Sequence, residues 1–159
     1  MQFTQKQDSS YNKAAQLCSR FEKCTSEIRE KLLIWGLSEE DAEPVVKKLV
    51  SEKYIDDERF ARAYVKDKFR FNHWGKQKIV HMLRSKNVDP EILELALEEI
   101  QDDNYAENLL KLLTDKARSI KAKDKYDKRN KLMRFALSRG FESGIVMKII
   151  RKLEVETPE

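Results

Sequence analysis

Apolar residues recur three or four positions apart along most of the chain, and charged residues fill the positions between them. In residues 11–23, for example, Ala14, Leu17, Cys18 and Phe21 share one side. This spacing places apolar side chains on one face of an α-helix. No segment alternates apolar and polar residues long enough to favour a β-strand. The pattern therefore predicts an all-α protein.

Three segments share one arrangement of apolar positions: residues 26–49, 76–100 and 129–153. They align when Gly36, Asn87 and Gly140 are superposed, which gives offsets of 51 and 53 residues. Each segment is predicted to form a helix, a short turn and a second helix. The aligned residue ends the first helix, because Gly and Asn enter the left-handed conformation at least steric cost.

Residues that favour the start of a helix follow each turn. Ser38 stands before two glutamates, Asp89 before Pro90, and Ser143 before Gly144. A capping oxygen followed by proline at the first helical position is the clearest of these signals.

Pro44 is out of place in this pattern. It lies about six residues after Ser38, beyond the first turn, in which proline is tolerated. We therefore expect the second helix of this segment to start late or to kink at Pro44.

A further amphipathic helix precedes each pair, at residues 11–23, 57–71 and 105–120. The sequence thus predicts a flexible N-terminus followed by three tandem three-helix modules: residues 1–9, 10–55, 56–102 and 103–155. Because a helix pair buries little apolar surface alone, adjacent modules are expected to pack into an elongated, curved array.

Positive charge is concentrated toward the C-terminal end. The chain has a net charge of +4, but residues 111–152 hold fourteen Lys and Arg against four Asp and Glu. This asymmetry indicates a surface that faces an anionic partner. The sequence shows neither a signal-peptide pattern nor an apolar run long enough to span a membrane. We therefore expect a cytoplasmic protein without a membrane partner. We also expect it to be a monomer.

The junction between the first two predicted modules reads Tyr54-Ile55-Asp56-Asp57-Glu58-Arg59-Phe60-Ala61. This stretch resembles the Tyr-Leu-Asp-Asp-Glu-Arg-Phe-Ala signature of the RecX family. Gly36-Leu37 in the first module and Gly75 before the basic helix of the second are similar to the family's pattern. The resemblance extends over residues 14–153.

RecX proteins regulate the bacterial recombinase RecA. The resemblance implies a helical crescent that binds along or within the groove of a RecA filament on single-stranded DNA. It implies inhibition of ATP hydrolysis, strand exchange and co-protease action by RecA, in DNA repair, recombination and the SOS response. It also implies direct binding to DNA. Single-stranded DNA is the expected ligand, and duplex DNA is a further candidate.

The first group of candidate DNA- or RecA-binding residues is Lys121, Lys123, Lys125, Tyr126, Lys128, Arg129, Lys131 and Arg134. Lys and Arg supply the phosphate contacts that dominate affinity for nucleic acids. Tyr126 has the aromatic ring on which an unpaired base stacks. The alternative interpretation is a solvated loop between helices whose charges only aid solubility.

The second group of candidates is Arg70, Trp74, Lys76, Lys78, Arg84 and Lys86. His73 and His81 lie among them. An exposed Trp74 beside cations suits base stacking or an interface hot spot. The alternative, that Trp74 fills the seam between two helices, stays equally open.

We interpret the acidic run Asp56-Asp57-Glu58 as a helix N-terminal cap rather than a metal or acid–base site. Four potential zinc ligands match no finger or ribbon spacing: Cys18, Cys24, His73 and His81. No nucleophile–base set or Gly-rich phosphate loop is present. The sequence therefore predicts a non-enzymatic protein without a metal or cofactor.

Two other functions stay open at this stage. The repeated helix–turn–helix units suit a protein that binds duplex DNA, although no helix carries a cluster of Arg, Asn and Gln suited to base edges. A helical-repeat scaffold for another acidic protein is the second alternative.

Overall fold

The computed structural model describes residues 2–156, and these residues form nine α-helices, one short 3-10 helix and no β-strand. The all-α prediction is confirmed. The helices are α1 (Gln5–Arg20), α2 (Thr25–Ile34), α3 (Glu39–Ser51), α4 (Asp57–Arg70), α5 (Lys76–Ser85), α6 (Pro90–Ala96), α7 (Asp102–Ser119), α8 (Lys125–Ser138) and α9 (Ser143–Glu156). The 3-10 helix, Leu97–Glu99, follows α6 directly. Each predicted triplet of helices is present.

The described residues divide into two compact units. One consists of the described part of Met1–Ala63 together with Leu83–Ala96, and the other of Tyr64–Met82 with the described part of Leu97–Glu159. Helices α4 and α5 contribute residues to both units.

The first unit contains α1, α2 and α3, which contact one another pairwise. Its core is apolar and is built from the positions that the sequence pattern assigns to the helix faces. The fully buried members are Ala14, Ile28, Leu32, Ala42, Val45, Leu49 and Ile55. Burial of such side chains contributes about 1.5–3 kcal/mol for each large aliphatic residue.

The second unit contains α7, α8 and α9, again in mutual contact. Its largest buried side chains are Val65, Ile79, Leu109, Leu113, Phe141 and Ile150. The ring of Tyr105 lies between two others in this core, with centroids 5.9 Å from Phe69 and 5.1 Å from Phe141.

The three aligned helix ends adopt the same backbone turn. Gly36, Asn87 and Gly140 have φ angles of 101°, 58° and 94°. Each turn closes with the paired hydrogen bonds of a Schellman motif, such as Leu37 N–H to Leu32 C=O (3.1 Å) and Gly36 N–H to Leu33 C=O (3.0 Å). The prediction of left-handed stops at these three residues is confirmed.

Two further left-handed residues were not predicted. Lys53 has a φ of 66° and ends α3, where Tyr54 N–H bonds to Leu49 C=O at 2.9 Å. His73 has a φ of 56° in the turn between α4 and α5. Lysine has no preference for this conformation. Histidine is enriched in it, but a single histidine does not predict it as a glycine does.

The N-terminal region departs from the prediction. Helix α1 begins at Gln5, so residues 5–9, which we predicted to be flexible, are helical. Thr4 and Gln7 form a reciprocal capping box. The Gln7 amide also donates to the Asp41 carbonyl at 3.0 Å. The cap and this tertiary contact together fix the start of the helix.

Helix α3 begins at Glu39 and continues through Pro44, so the predicted late start is wrong. The Ser38 hydroxyl accepts a hydrogen bond from Asp41 N–H at 3.1 Å and fixes the helix start. Three acidic residues in the first turn complement the helix dipole.

Candidate interaction surfaces

The segment between α7 and α8 presents several cations to solvent. We call residues 121–131 the basic segment. Lys121, Lys123 and Lys128 are exposed, and among residues 2–156 the structure pairs none of their ammonium groups with a carboxylate. The Tyr126 side chain is 71% exposed. Lys125 and Arg134 are exposed as well.

Two aspartates and a lysine give the basic segment a defined conformation. The Asp124 carboxylate accepts from Asp127 N–H at 2.8 Å and caps α8. Asp127 accepts from Lys123 N–H at 3.1 Å and pairs with Lys131 at 3.2 Å. The hydrogen bond from the Lys123 amide and the contact with Lys131 lower the pKa of the Asp127 carboxyl. The Lys131 ammonium also donates to the Lys121 carbonyl at 2.6 Å.

Arg129 is bound within its own unit. Its guanidinium donates two hydrogen bonds of 2.8 Å to the Glu154 carboxylate. This fork raises the pKa of Arg129 and lowers the pKa of Glu154. The charge of Arg129 is therefore already matched by a planar acceptor. Of the first group of candidates, Lys121, Lys123, Lys128 and Arg134 present exposed charge, whereas Arg129 and Lys131 hold the local structure.

The turn between α4 and α5 places Trp74 beside two lysines. The ring is half-buried, and it meets the Tyr64 ring edge-on at a centroid distance of 6.4 Å. The ammonium groups of Lys68 and Lys78 lie 5.0 and 4.5 Å from the Trp74 ring centroid. Trp74 thus packs against a helix and also serves as a platform for cations. Arg70, the last residue of α4, is exposed.

Lys76 has mainly local partners. Its amide donates to the Tyr105 hydroxyl at 2.9 Å, and its ammonium lies 4.7 Å from the Tyr105 ring centroid and 3.5 Å from Asp102. The Tyr105 hydroxyl donates to Glu142 at 2.5 Å. Burial and the Glu142 carboxylate raise the pKa of Tyr105.

Arg84 and Lys86 belong to the other unit, so the second group of candidates divides between the two units. Lys86 pairs with Glu27 at 3.0 Å. Burial alone raises the pKa of the Glu27 carboxyl, but the hydrogen bonds from Lys86 and from Cys24 N–H outweigh it and lower that pKa. Arg84 is exposed.

The acidic run before α4 caps helices, as predicted. Asp56 accepts from Arg59 N–H at 3.0 Å. Asp57 accepts from both the amide (2.7 Å) and the hydroxyl (3.0 Å) of Thr25 at the start of α2. Glu58 pairs with Arg62 at 3.1 Å. The capping role of this run was predicted from the sequence, but the contact between Asp57 and Thr25, thirty-two residues apart, was not.

No group of three or more His, Cys, Asp and Glu side chains among residues 2–156 is arranged to hold a metal ion. Cys18 is half-buried, Cys24 is buried, and burial raises the pKa of both thiols.

Among residues 2–156, none of the helices is both long enough and apolar enough to cross a membrane.

The fold and the exposed cations together define an all-α protein of tandem three-helix domains with basic surface segments. Family models match three consecutive parts of the chain: the first three-helix domain of RecX at residues 11–49, the second at 56–97 and the third at 102–150. The chain belongs to the RecX family.

Named relatives agree with this assignment. The regulatory protein RecX of Clostridium perfringens strain 13 is 31% identical over 144 residues, which is 89% of this chain and 67% of the relative. That of Clostridium botulinum Alaska E43 is 31% identical, and the chain spans 61% of its length. For Chlorobium limicola RecX the identity is also 31%, over 84% of this chain and 82% of the relative.

Solved structures show the same fold. The crystal structure of RecX from Lactobacillus salivarius matches with a TM-score of 0.84 and 25% identity, over 94% of this chain and 97% of that one. The crystal structure of a second regulatory protein RecX matches with a TM-score of 0.83 and 26% identity, over 92% of this chain and 72% of that one.

Proposed function

We propose that this chain regulates RecA without catalysing a reaction itself. It binds RecA filaments on single-stranded DNA and inhibits ATP hydrolysis, strand exchange and co-protease action by RecA in the cytoplasm, as a monomer. The observation that carries the proposal is the run of three consecutive RecX domains over most of the chain. The names of the relatives, all regulatory proteins, support a regulatory rather than enzymatic role.

The exposed cations of the basic segment support an anionic contact within this function. Lys121, Lys123 and Lys128 lie in and after a loop that Asp124 and Asp127 hold in one conformation. A preformed loop loses less conformational entropy when phosphates bind. We assign DNA phosphates to Lys121, Lys123, Lys128 and Arg134. We assign the Trp74 ring, with Lys68 and Lys78 over it, to contact with the protein surface of the filament.

The decisive experiment measures the rate of ATP hydrolysis by RecA on single-stranded DNA, with this chain added below the RecA concentration. The DNA is present in excess over both proteins, so that simple competition for DNA does not slow RecA. A lower rate is expected. The same assay is repeated at limiting DNA. An unchanged rate at both DNA concentrations contradicts RecA regulation, whereas inhibition at limiting DNA alone indicates a DNA-binding protein without specific action on the filament.

A further inference from the structure

Three aromatic side chains are more than half exposed among the described residues. Phe21 is 61% exposed, Phe71 is 76% exposed and Tyr126 is 71% exposed. The other exposed large apolar side chains are aliphatic. An exposed aromatic ring gains little from the core of its own unit and is available to contact a ligand or a partner.

The three rings occupy nearly the same point in the three repeats. They precede the left-handed helix ends Gly36, Asn87 and Gly140 by fifteen, sixteen and fourteen residues. Each lies where the first helix of a triplet gives way to the second. Phe21 is the C-cap of α1, Phe71 directly follows α4, and Tyr126 is the second residue of α8.

Cations accompany each ring. Phe21 lies between Arg20 and Lys23, and the Lys23 ammonium is 6.0 Å from its centroid. The one carboxylate in this loop, Glu22, is bound to Arg59 at 2.5 Å. The surroundings of Phe21 therefore stay positive.

The other two rings have the same chemistry. Phe71 follows Arg70, which is exposed, and the nearby Asn72 carbonyl accepts from the Arg139 guanidinium at 3.1 Å. Tyr126 lies among Lys123, Lys125 and Lys128. The two aspartates of that loop, Asp124 and Asp127, are engaged by backbone amides.

We infer that Phe21, Phe71 and Tyr126 are stacking residues for the unpaired bases of single-stranded nucleic acid, one in each repeat. A flat ring stacks on any base, and adjacent cations hold the phosphates on either side of it. The inference rests on the proposed function and adds the chemistry by which the chain distinguishes an unpaired strand from a duplex, whose bases are stacked on one another. Contact with a protein surface is the alternative use of such rings.

The test compares two short oligonucleotides of equal length, one of thymidines and one of abasic residues, which carry the same phosphates. Affinities are measured for the wild-type chain and for Phe21→Ala, Phe71→Ala and Tyr126→Ala. We expect the wild type to prefer the thymidine strand, and each alanine variant to lose about fivefold or more of affinity for that strand alone. Phe71→Tyr and Tyr126→Phe keep the ring and should keep the affinity.

The matched control is Ile34→Ala, which removes a 68% exposed side chain that has no aromatic ring. It should leave both affinities unchanged. Equal affinity of the wild type for the two strands, or an equal loss on both strands in the alanine variants, overturns the stacking inference. Failure to bind either strand contradicts the proposed DNA contact itself. Alanine variants that bind thymidine normally but no longer inhibit RecA assign the rings to a protein interface instead.

Discussion

Gly75 packs directly against the backbone of Gly140. The Gly75 amide donates to the Arg139 carbonyl at 2.7 Å, and the Gln77 amide donates to the Gly140 carbonyl at 3.0 Å. Backbone amides at the start of α5 thereby donate to carbonyls that directly follow α8. Groups at helix ends lack partners within their own helix, and these hydrogen bonds supply them. This close approach requires that neither glycine carries a side chain.

Replacement of Gly75 by alanine should destabilise the protein. A Cβ at this position would lie 2.4 Å from the carbonyl carbon and oxygen of Gly140 and from the amide nitrogen of Phe141. All three are backbone atoms, so neither partner can move aside as a flexible side chain would. We expect a loss of about 3 kcal/mol in the free energy of unfolding, measured by urea denaturation.

Gly144→Ala is the control for this substitution. A Cβ at Gly144 meets no heavy atom within 4 Å, and Gly144 lies in the first turn of α9. Its stability should be unchanged or higher by less than about 1 kcal/mol. Equal midpoints for the two variants would contradict the close contact between α5 and α8.

The Tyr105 hydroxyl should stabilise the same junction. Tyr105→Phe removes the acceptor of the Lys76 amide and the donor to Glu142 while keeping the ring in the core. An amide left without a partner costs about 1–3 kcal/mol where it is shielded from water. Urea denaturation of this variant should show that loss, whereas Tyr126→Phe, at an exposed position, should match the wild type. No loss for Tyr105→Phe would indicate that water replaces the hydroxyl.

The local features of the fold could be predicted from the sequence. Gly36, Asn87 and Gly140 mark helix ends because Gly and Asn adopt the left-handed conformation with little steric strain, and all three have positive φ. The capping roles of Ser38 and Asp56 follow from the same kind of local chemistry.

The contacts between residues far apart in the sequence could not be predicted from it. Asp57 with Thr25, Gly75 with Gly140 and Arg129 with Glu154 each link residues more than twenty positions apart. From the sequence, Arg129 was one candidate phosphate ligand among several. Charge density alone does not reveal which cation is already paired with a carboxylate. Of the three exposed aromatic rings, only Tyr126 was a candidate from the sequence. Phe21 was not, because it fits the apolar spacing of α1 but lies just beyond the end of that helix.

Glu27 predicts a dependence of stability on pH. Its folded-state pKa is lowered, so its contribution is fully present above the unfolded value of about 4.3 and is lost as pH falls through the folded pKa. Glu27→Gln removes the charge that pairs with Lys86 and should cost about 1 kcal/mol at neutral pH. The difference from the wild type should shrink as unfolding is measured at lower pH, below about 4.

Glu30→Gln is the control, because Glu30 is on the same helix and is exposed. It should show no comparable loss at neutral pH. A gap between Glu27→Gln and the wild type that stays constant from neutral to acid pH would show that the pairing of Glu27 with Lys86 does not stabilise the fold.

Lys123 and Lys128 should contribute to the salt dependence of binding to single-stranded DNA, since both are exposed and neither is paired with a carboxylate among residues 2–156. Each phosphate contact on a single strand contributes about 0.7 to the slope of log affinity against log salt. The double variant Lys123→Gln, Lys128→Gln should therefore reduce that slope by about 1.4. Lys31→Gln, Lys47→Gln makes the same change in net charge at exposed positions of the other unit and should leave the slope nearly unchanged. Equal slopes for the two double variants would show that net charge, rather than the basic segment, governs DNA binding.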